Sequence, residues 1–211
     1  MLKKLDKMVK RIARQCLKPL LRRKRSMMRA TEVEKQSLID LVKSLPADGN
    51  MVMIEIGSYR GESAQIFLGT NRFSRIYCID PWKMYYDNDD GAAFTDMAEV
   101  ERDFDRRVGG DQRIVKIKGT IDDFLEMHAD EKIAFAYVDG CHTYKAVKHD
   151  LQQILTHCRP SIAVGGHDYT DAGWDGLKRA VGEVVGIPDK VFPDTSWVKF
   201  TPALRFDGGK T

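Results

Sequence analysis

The sequence predicts an α/β fold: a mostly parallel, seven-stranded sheet flanked by helices, with an extra helical segment at the N-terminus. Three observations carry that reading. From Met51 onward, apolar runs of strand length alternate with helical patterns, the arrangement that builds a parallel sheet covered on both faces. The main runs read as buried strands. Finally, Glu55-Ile56-Gly57, Asp80, Gly119, Asp139 and His167-Asp168 fall at or just after the ends of five of them. Ligands of parallel sheets sit beyond the C-terminal strand ends.

The elements follow in order. Leu2, Leu5, Met8, Ile12, Cys16 and Leu20 recur at helical spacing, with Pro19 limiting or kinking the helix. A helix from about Thr31 to Leu45 carries a capping-box pair, Thr31 and Glu34, and an apolar face of Leu38, Leu41, Val42 and Leu45. Residues 46–50 are turn chemistry. Strands are expected at Met51–Gly57, Arg75–Asp80, Arg113–Ile117, Ile133–Asp139 and Ser161–Gly166, with two short ones near Val191 and Val198. Helices are expected at Gly61–Leu68, Ala93–Val108, Ile121–Met127, Tyr144–His157 and about Gly176–Val185. Pro81–Gly91, rich in aromatic and acidic residues, reads as a loop.

Charge divides the chain in two. Residues 1–29 hold twelve Lys/Arg against one acid, Asp6, a balance of +11; the chain as a whole is +3, so the remainder carries −8. Two parts follow: a basic amphipathic arm, 1–29, and a single α/β domain, 30–211. The arm reads as a solvated or subunit-packing helix, or as a contact for anionic lipid. With the basicity confined to the arm, a nucleic-acid surface spread over the fold is disfavoured. No apolar run reaches the roughly 18–20 residues of a membrane-spanning helix. Cys16, Cys78, Cys141 and Cys158 show no C-x-x-C spacing, which argues for a reducing compartment and a cytoplasmic location, with the inner membrane face as the arm's expected surface. A homo-oligomer is compatible with the sequence.

The chemistry concentrates in two segments, Val138-Asp139-Gly140-Cys141-His142-Thr143-Tyr144 and Val164-Gly165-Gly166-His167-Asp168-Tyr169. Both follow strands, so Asp139, His142, His167 and Asp168 reach the same end of the parallel sheet. Two carboxylates and two imidazoles there point to a metal and a proton acceptor. Upstream, Glu55-Ile56-Gly57-Ser58-Tyr59-Arg60-Gly61 is a glycine-bearing strand-to-helix turn that departs from G-x-G-x-x-G. Asp80, ending the second strand, is placed to accept hydrogen bonds from ribose hydroxyls, or to cap the loop before Pro81. Other readings stay open. His142 is a base or a helix cap. His149 and Asp150 read as solvated or structural. Trp82, Tyr85 and Tyr86 either stack on a substrate or pack on one another, and Trp174 and Trp197 read as core or interface.

On E-I-G-S-Y-R-G-E-S, I-D-P-W, V-D-G-C-H-T-Y-K-A-V-K-H-D and G-G-H-D-Y, the chain from about Met51 to Phe200 resembles class I S-adenosylmethionine-dependent methyltransferases. Within them it is similar to the group of metal-dependent sugar O-methyltransferases and cephalosporin hydroxylase-like proteins. The resemblance implies a Rossmann-like fold and transfer of a methyl group from S-adenosylmethionine to a hydroxyl of a sugar, glycoconjugate or secondary metabolite. It implies that Glu55, Gly57, Ser58 and Gly61 shape the methionine pocket, Asp80 holds the ribose, and Gly119 and Thr120 lie near the adenine. Asp139, also beside the cofactor, would bind a divalent metal, magnesium or manganese, together with Asp168, with His167 either a further ligand or a residue behind the ligands. His142 would be the general base. One departure stands out: where the sugar methyltransferases place an acid before the second metal-binding aspartate, this chain has His167. A fold that has lost catalysis and works through its arm, or a nucleic-acid methyltransferase, are the alternatives; the second lacks the D/N-P-P-Y/F signature.

Overall fold

The computed structural model describes residues 30–46, 50–83, 95–158, 160–170 and 175–201. The basic arm, Tyr85, Tyr86 and Trp174 lie outside them. All elements below belong to the unit Glu32–Thr211. Helix α1 spans Glu32–Ser44, followed by β1 (Met51–Ile56), α2 (Glu62–Gly69), β2 (Phe73–Asp80), α3 (Met97–Arg107), β3 (Ile114–Lys118) and α4 (Ile121–His128). Then come β4 (Phe135–Val138), α5 (Tyr144–Gln153), β5 (Ala163–Gly166), α6 (Asp175–Val184), β6 (Lys190–Val191) and β7 (Trp197–Phe200). Where one helix to His157 was expected, α5 ends at Gln153 and continues as a π-helical turn over Ile154–Cys158.

The seven strands lie in the order β3-β2-β1-β4-β5-β7-β6. β1 pairs in parallel with both β2 and β4, β3 with β2, and β5 with β4. β7 returns antiparallel to β5, and β6 pairs antiparallel with β7. The predicted seven strands, mostly parallel, are therefore present. Strand order reverses between β1 and β4, which opens a crevice at their C-terminal ends.

Strand alternation distributes the core between two faces. Met53, Cys78, Phe135 and Tyr137 meet α1, α2 and α3 through Leu41, Phe67 and Phe104. Ile54, Ile79, Ala136 and Val138 meet α4, α5 and α6 through Phe124, Leu151 and Val181. Phe67 is wholly buried and packs edge-on to Phe73, Phe135 and Tyr137. Truncating a phenylalanine so placed costs about 3–5 kcal/mol. Capping fixes where helices begin. The Asp96 carboxylate accepts from the Ala98 and Glu99 N–H groups at the start of α3. Thr120 and Asp123 form a reciprocal capping box on α4. Among the described residues no helix is long and apolar enough to cross a membrane.

Candidate functional site

The chain leaves β1 through Gly57, whose φ is 88°. A Cβ there would sit 2.0 Å from the Asp139 carbonyl oxygen, so only glycine fits. This contact draws the ends of β1 and β4 together. Just before it, Glu55 is fully buried and accepts a 2.6 Å hydrogen bond from Ser58 Oγ on Oε2. Burial pushes its carboxyl up to about 7, against the lowering effect of hydrogen bonds from Ser58 and Ser63. Gly61, with φ 78°, opens α2. Between them, buried Arg60 pairs with Asp103 and ties the turn to α3.

Asp80 ends β2 and holds two turns at once. Its Oδ2 accepts from the Tyr59 N–H at 2.9 Å and its Oδ1 from the Trp82 N–H at 2.7 Å. Burial raises this carboxyl, and the two N–H groups oppose the rise. The loop-capping reading is thus present in the geometry, and Asp80 also lines a cavity of about 460 Å³. Trp82 is not a substrate-stacking face. It is 4% exposed, packs on Phe104 and donates its indole N–H to the Tyr59 carbonyl at 2.9 Å.

The cavity brings together Gly57, Asp80, Gly119, Thr120, Asp139 and His142. Its size suits a small organic ligand. Glu55, Ser58 and Gly61 stand behind the wall rather than on it. Tyr59 and Met97, which the sequence does not single out, also line it. So does Asp150, read from sequence as solvated or structural. It is partly buried, and burial lifts its carboxyl to about 7. Its neighbour His149 fits the structural reading: Nε2 lies 2.9 and 3.1 Å from the two Asp122 oxygens, joining α5 to α4.

At one end the cavity meets a cluster of charge. His142 Nε2 lies 2.9 Å from Asp168 Oδ2 and 3.8 Å from Asp139 Oδ1. His167 Nδ1 lies 3.2 Å from Asp168 Oδ1 and 4.0 Å from Asp139 Oδ1. The main chain positions these groups. The Asp139 N–H donates to Ile56 O, and the His167 N–H donates to Val138 O. His142 does not cap α5; Thr143 does, accepting from the Ala146 N–H. Burial alone would lower both imidazoles, but the surrounding carboxylates outweigh it. Asp139 and Asp168 raise His142 to about 10, and with Asp194 they raise His167 to about 9. Burial would raise Asp168, yet the two imidazoles hold it far below the usual carboxylate range. The two carboxylates thus favour the charged form of His142.

Donor atoms of Asp139, His142 and Asp168 all lie within 4.8 Å of one another, so the set fits a divalent cation. Carboxylate oxygens suit magnesium, and an imidazole nitrogen shifts the balance toward manganese, iron or zinc. The sequence-expected ligands are Asp139, His167 and Asp168; here His142 joins the two aspartates and His167 flanks them. Behind His167 lies Asp194, which the sequence did not reveal. It arrives on the β6–β7 turn and leaves no motif or periodic signal.

The family described as "Methyltransferase domain" matches residues 54–169, more than half of the chain. No curated protein matches it. Among solved structures, CalS11, a TDP-rhamnose 3'-O-methyltransferase of calicheamicin biosynthesis, is 20% identical with a TM-score of 0.56, covering 81% of this chain and 80% of that one. The O-methyltransferase NovP is 17% identical, TM-score 0.54, covering 79% and 76%. TomG from Streptomyces achromogenes, an O-methyltransferase solved with S-adenosylmethionine, is 15% identical, TM-score 0.52, covering 81% and 80%. At such identities the likeness is one of fold. Seven strands in this order, a crevice at the β1–β4 reversal and a family match across it place the chain in the methyltransferase-domain family, with the class I S-adenosylmethionine-dependent fold.

Proposed function

We propose that this chain transfers a methyl group from S-adenosylmethionine to a hydroxyl oxygen of a small molecule, a sugar or sugar-bearing metabolite. The observation that carries the reading is the junction of the two halves: Asp139 and His142 belong both to the cavity wall and to the charged cluster. The sugar-modifying activity of CalS11 supports the acceptor class.

When bound, S-adenosylmethionine supplies a methyl group activated by a positive sulfur. Gly57 would let the backbone approach it, and Asp80 would share with the ribose hydroxyls the carboxylate oxygens that already accept from the Tyr59 and Trp82 N–H groups. Gly119 and Thr120, on the cavity wall, would border the adenine. Glu55 and Ser58 set the electrostatics behind the methionine end. A divalent cation on Asp139 and Asp168, the two carboxylates that both imidazoles face, would supply acidity to the acceptor hydroxyl. His142 Nε2 takes the hydroxyl proton once the neighbouring carboxylates no longer hold the imidazole charged. With S-adenosylmethionine held there, the acceptor oxygen would bond to the methyl carbon as the carbon–sulfur bond broke, sulfur keeping the electron pair. The walls do the rest by alignment, since an in-line approach is most of what this displacement requires. In the same reading the basic arm, residues 1–29, meets anionic lipid at the inner membrane face.

Calorimetric titration of S-adenosylmethionine into the full chain, first with EDTA and then with magnesium or manganese, tests the cofactor and the cation separately. Methyl transfer to nucleotide-linked deoxysugars tests the acceptor class. An absence of cofactor binding under every condition overturns the proposal.

A further inference from the structure

Asp150 has no task in the mechanism above, yet its carboxyl lines the cavity. It stands one turn after Ala146 on the face of α5 that borders the cavity, and Thr120, Ile121 and Asp122 at the start of α4 line the same space. The carboxyl reaches toward the strand ends: its Oδ2 lies 3.9 Å from where a Cβ on Gly140 would stand, a point 3.4 Å from Ile56 Cγ2. Among the described residues nothing hydrogen-bonds this carboxyl. The imidazole beside it, His149, is turned to Asp122 instead. Burial lifts the carboxyl to about 7, with His149 opposing the rise and Asp122 adding to it. A partly buried carboxyl with neither a donor nor a cation to satisfy it has its hydrogen-bonding capacity left for a ligand.

We infer that Asp150 is a specificity-determining residue that reads the amino-bearing edge of the cofactor's base. The inference rests on the proposal that S-adenosylmethionine fills this cavity. The N–H and O–H donors of that molecule are its ammonium, its ribose hydroxyls and the 6-amino group of adenine. In that reading the first two meet the β1 turn and Asp80 at the end of β2. Asp150 belongs to neither place; the charged groups beside it are His149 and Asp122, just beyond Thr120. Ile79, Ile121 and Ala146 give the cavity apolar surface that suits the faces of a flat ring and leaves its edge to a polar group. A carboxyl that keeps its proton meets adenine at two points, accepting from the 6-amino group and donating to ring nitrogen N1. Asp122 is the poorer reader, since it is about half exposed and already engaged by His149.

The probes are S-adenosylhomocysteine and its analogue with purine in place of adenine, which lacks only the 6-amino group. Each is titrated by calorimetry into the full chain with EDTA present. Wild type should bind the adenine compound about 10-fold more tightly, the discrimination expected where a polar group of the site loses its partner. Asp150→Ala should bind the two compounds nearly alike, because it weakens the adenine compound alone. Asp150→Asn keeps an acceptor and a donor in place and should retain most of the preference. A role confined to supporting the fold would weaken both compounds together and leave their ratio at the wild-type value in Asp150→Ala, which overturns the inference. Equal binding of the two compounds by wild type also overturns it and needs no variant, so the test survives if Asp150→Ala does not fold. A wild-type chain that binds neither compound overturns it together with the cofactor reading.

Discussion

The β1–β3 side of the site and the β4–β7 side are made of different materials. On the first, backbone does the shaping: Gly57 and Gly61 take positive φ, Gly119 lies against the Asp123 carboxylate, and Asp80 spends its oxygens on two main-chain N–H groups. On the second, titratable side chains face one another, with Asp139, His142, His167, Asp168 and Asp194 linked at 2.9–4.0 Å. The first side resists substitution by sterics and the second by charge balance. A shape-built wall can hold a constant ligand, whereas a charge-built one can be retuned for different chemistry by single replacements.

Four changes would break or sharpen that contrast, in falling order of effect. Gly57→Ala forces a Cβ onto the Asp139 carbonyl and should cost about 3 kcal/mol or more, read from urea unfolding, with loss of cofactor binding. His142→Ala should lower turnover by about 100-fold or more while the calorimetric affinity for S-adenosylmethionine stays nearly unchanged. Should both fall together, the two sides are not separable. Glu55 gives a pH signature. Its folded value of about 7 lies above the ordinary 4.5, so its contribution to stability is complete below 4.5 and is lost as pH rises through about 7. Unfolding midpoints of the wild type should therefore fall more steeply from pH 5 to 8 than those of Glu55→Gln; parallel slopes would refute this. Smallest is Asp122→Ala. That carboxylate pairs with His149, but both are about half exposed, so stability should move by less than about 1 kcal/mol in thermal melts.

The two sides also differ in how far the sequence disclosed them. Strand ends such as Glu55-Ile56-Gly57 and Val138-Asp139 are local events: an apolar run stops and a polar or glycine residue follows. Asp139, His142, His167 and Asp168 could be brought to one end of the sheet on paper because parallel strands align their C-terminal ends. Asp194 could not, because it reaches the cluster only through the antiparallel return of β7, and pairings such as Gly166 with Trp197 have no local signature. Trp82 shows the opposite limit. An exposed-looking aromatic in a polar loop is in fact core, because its indole finds a carbonyl on the neighbouring turn and its ring finds Phe104. The partial burial of Asp150 was hidden for a similar reason: helical spacing identifies a face, but not that the face borders a cavity.

The antiparallel return of β7 has a consequence in time. Synthesis delivers Asp139, then His167 and Asp168, and only afterwards Asp194 and Trp197. While the chain grows, the parallel strands can assemble around the β1–β4 crevice before the closing hairpin exists. At that stage Gly165 and Gly166, each leaving room that a Cβ would fill against Trp197, lie along an open sheet edge. Docking of the hairpin seals that edge and seats Asp194 behind His167, so the sheet and the charged cluster are completed by the same segment.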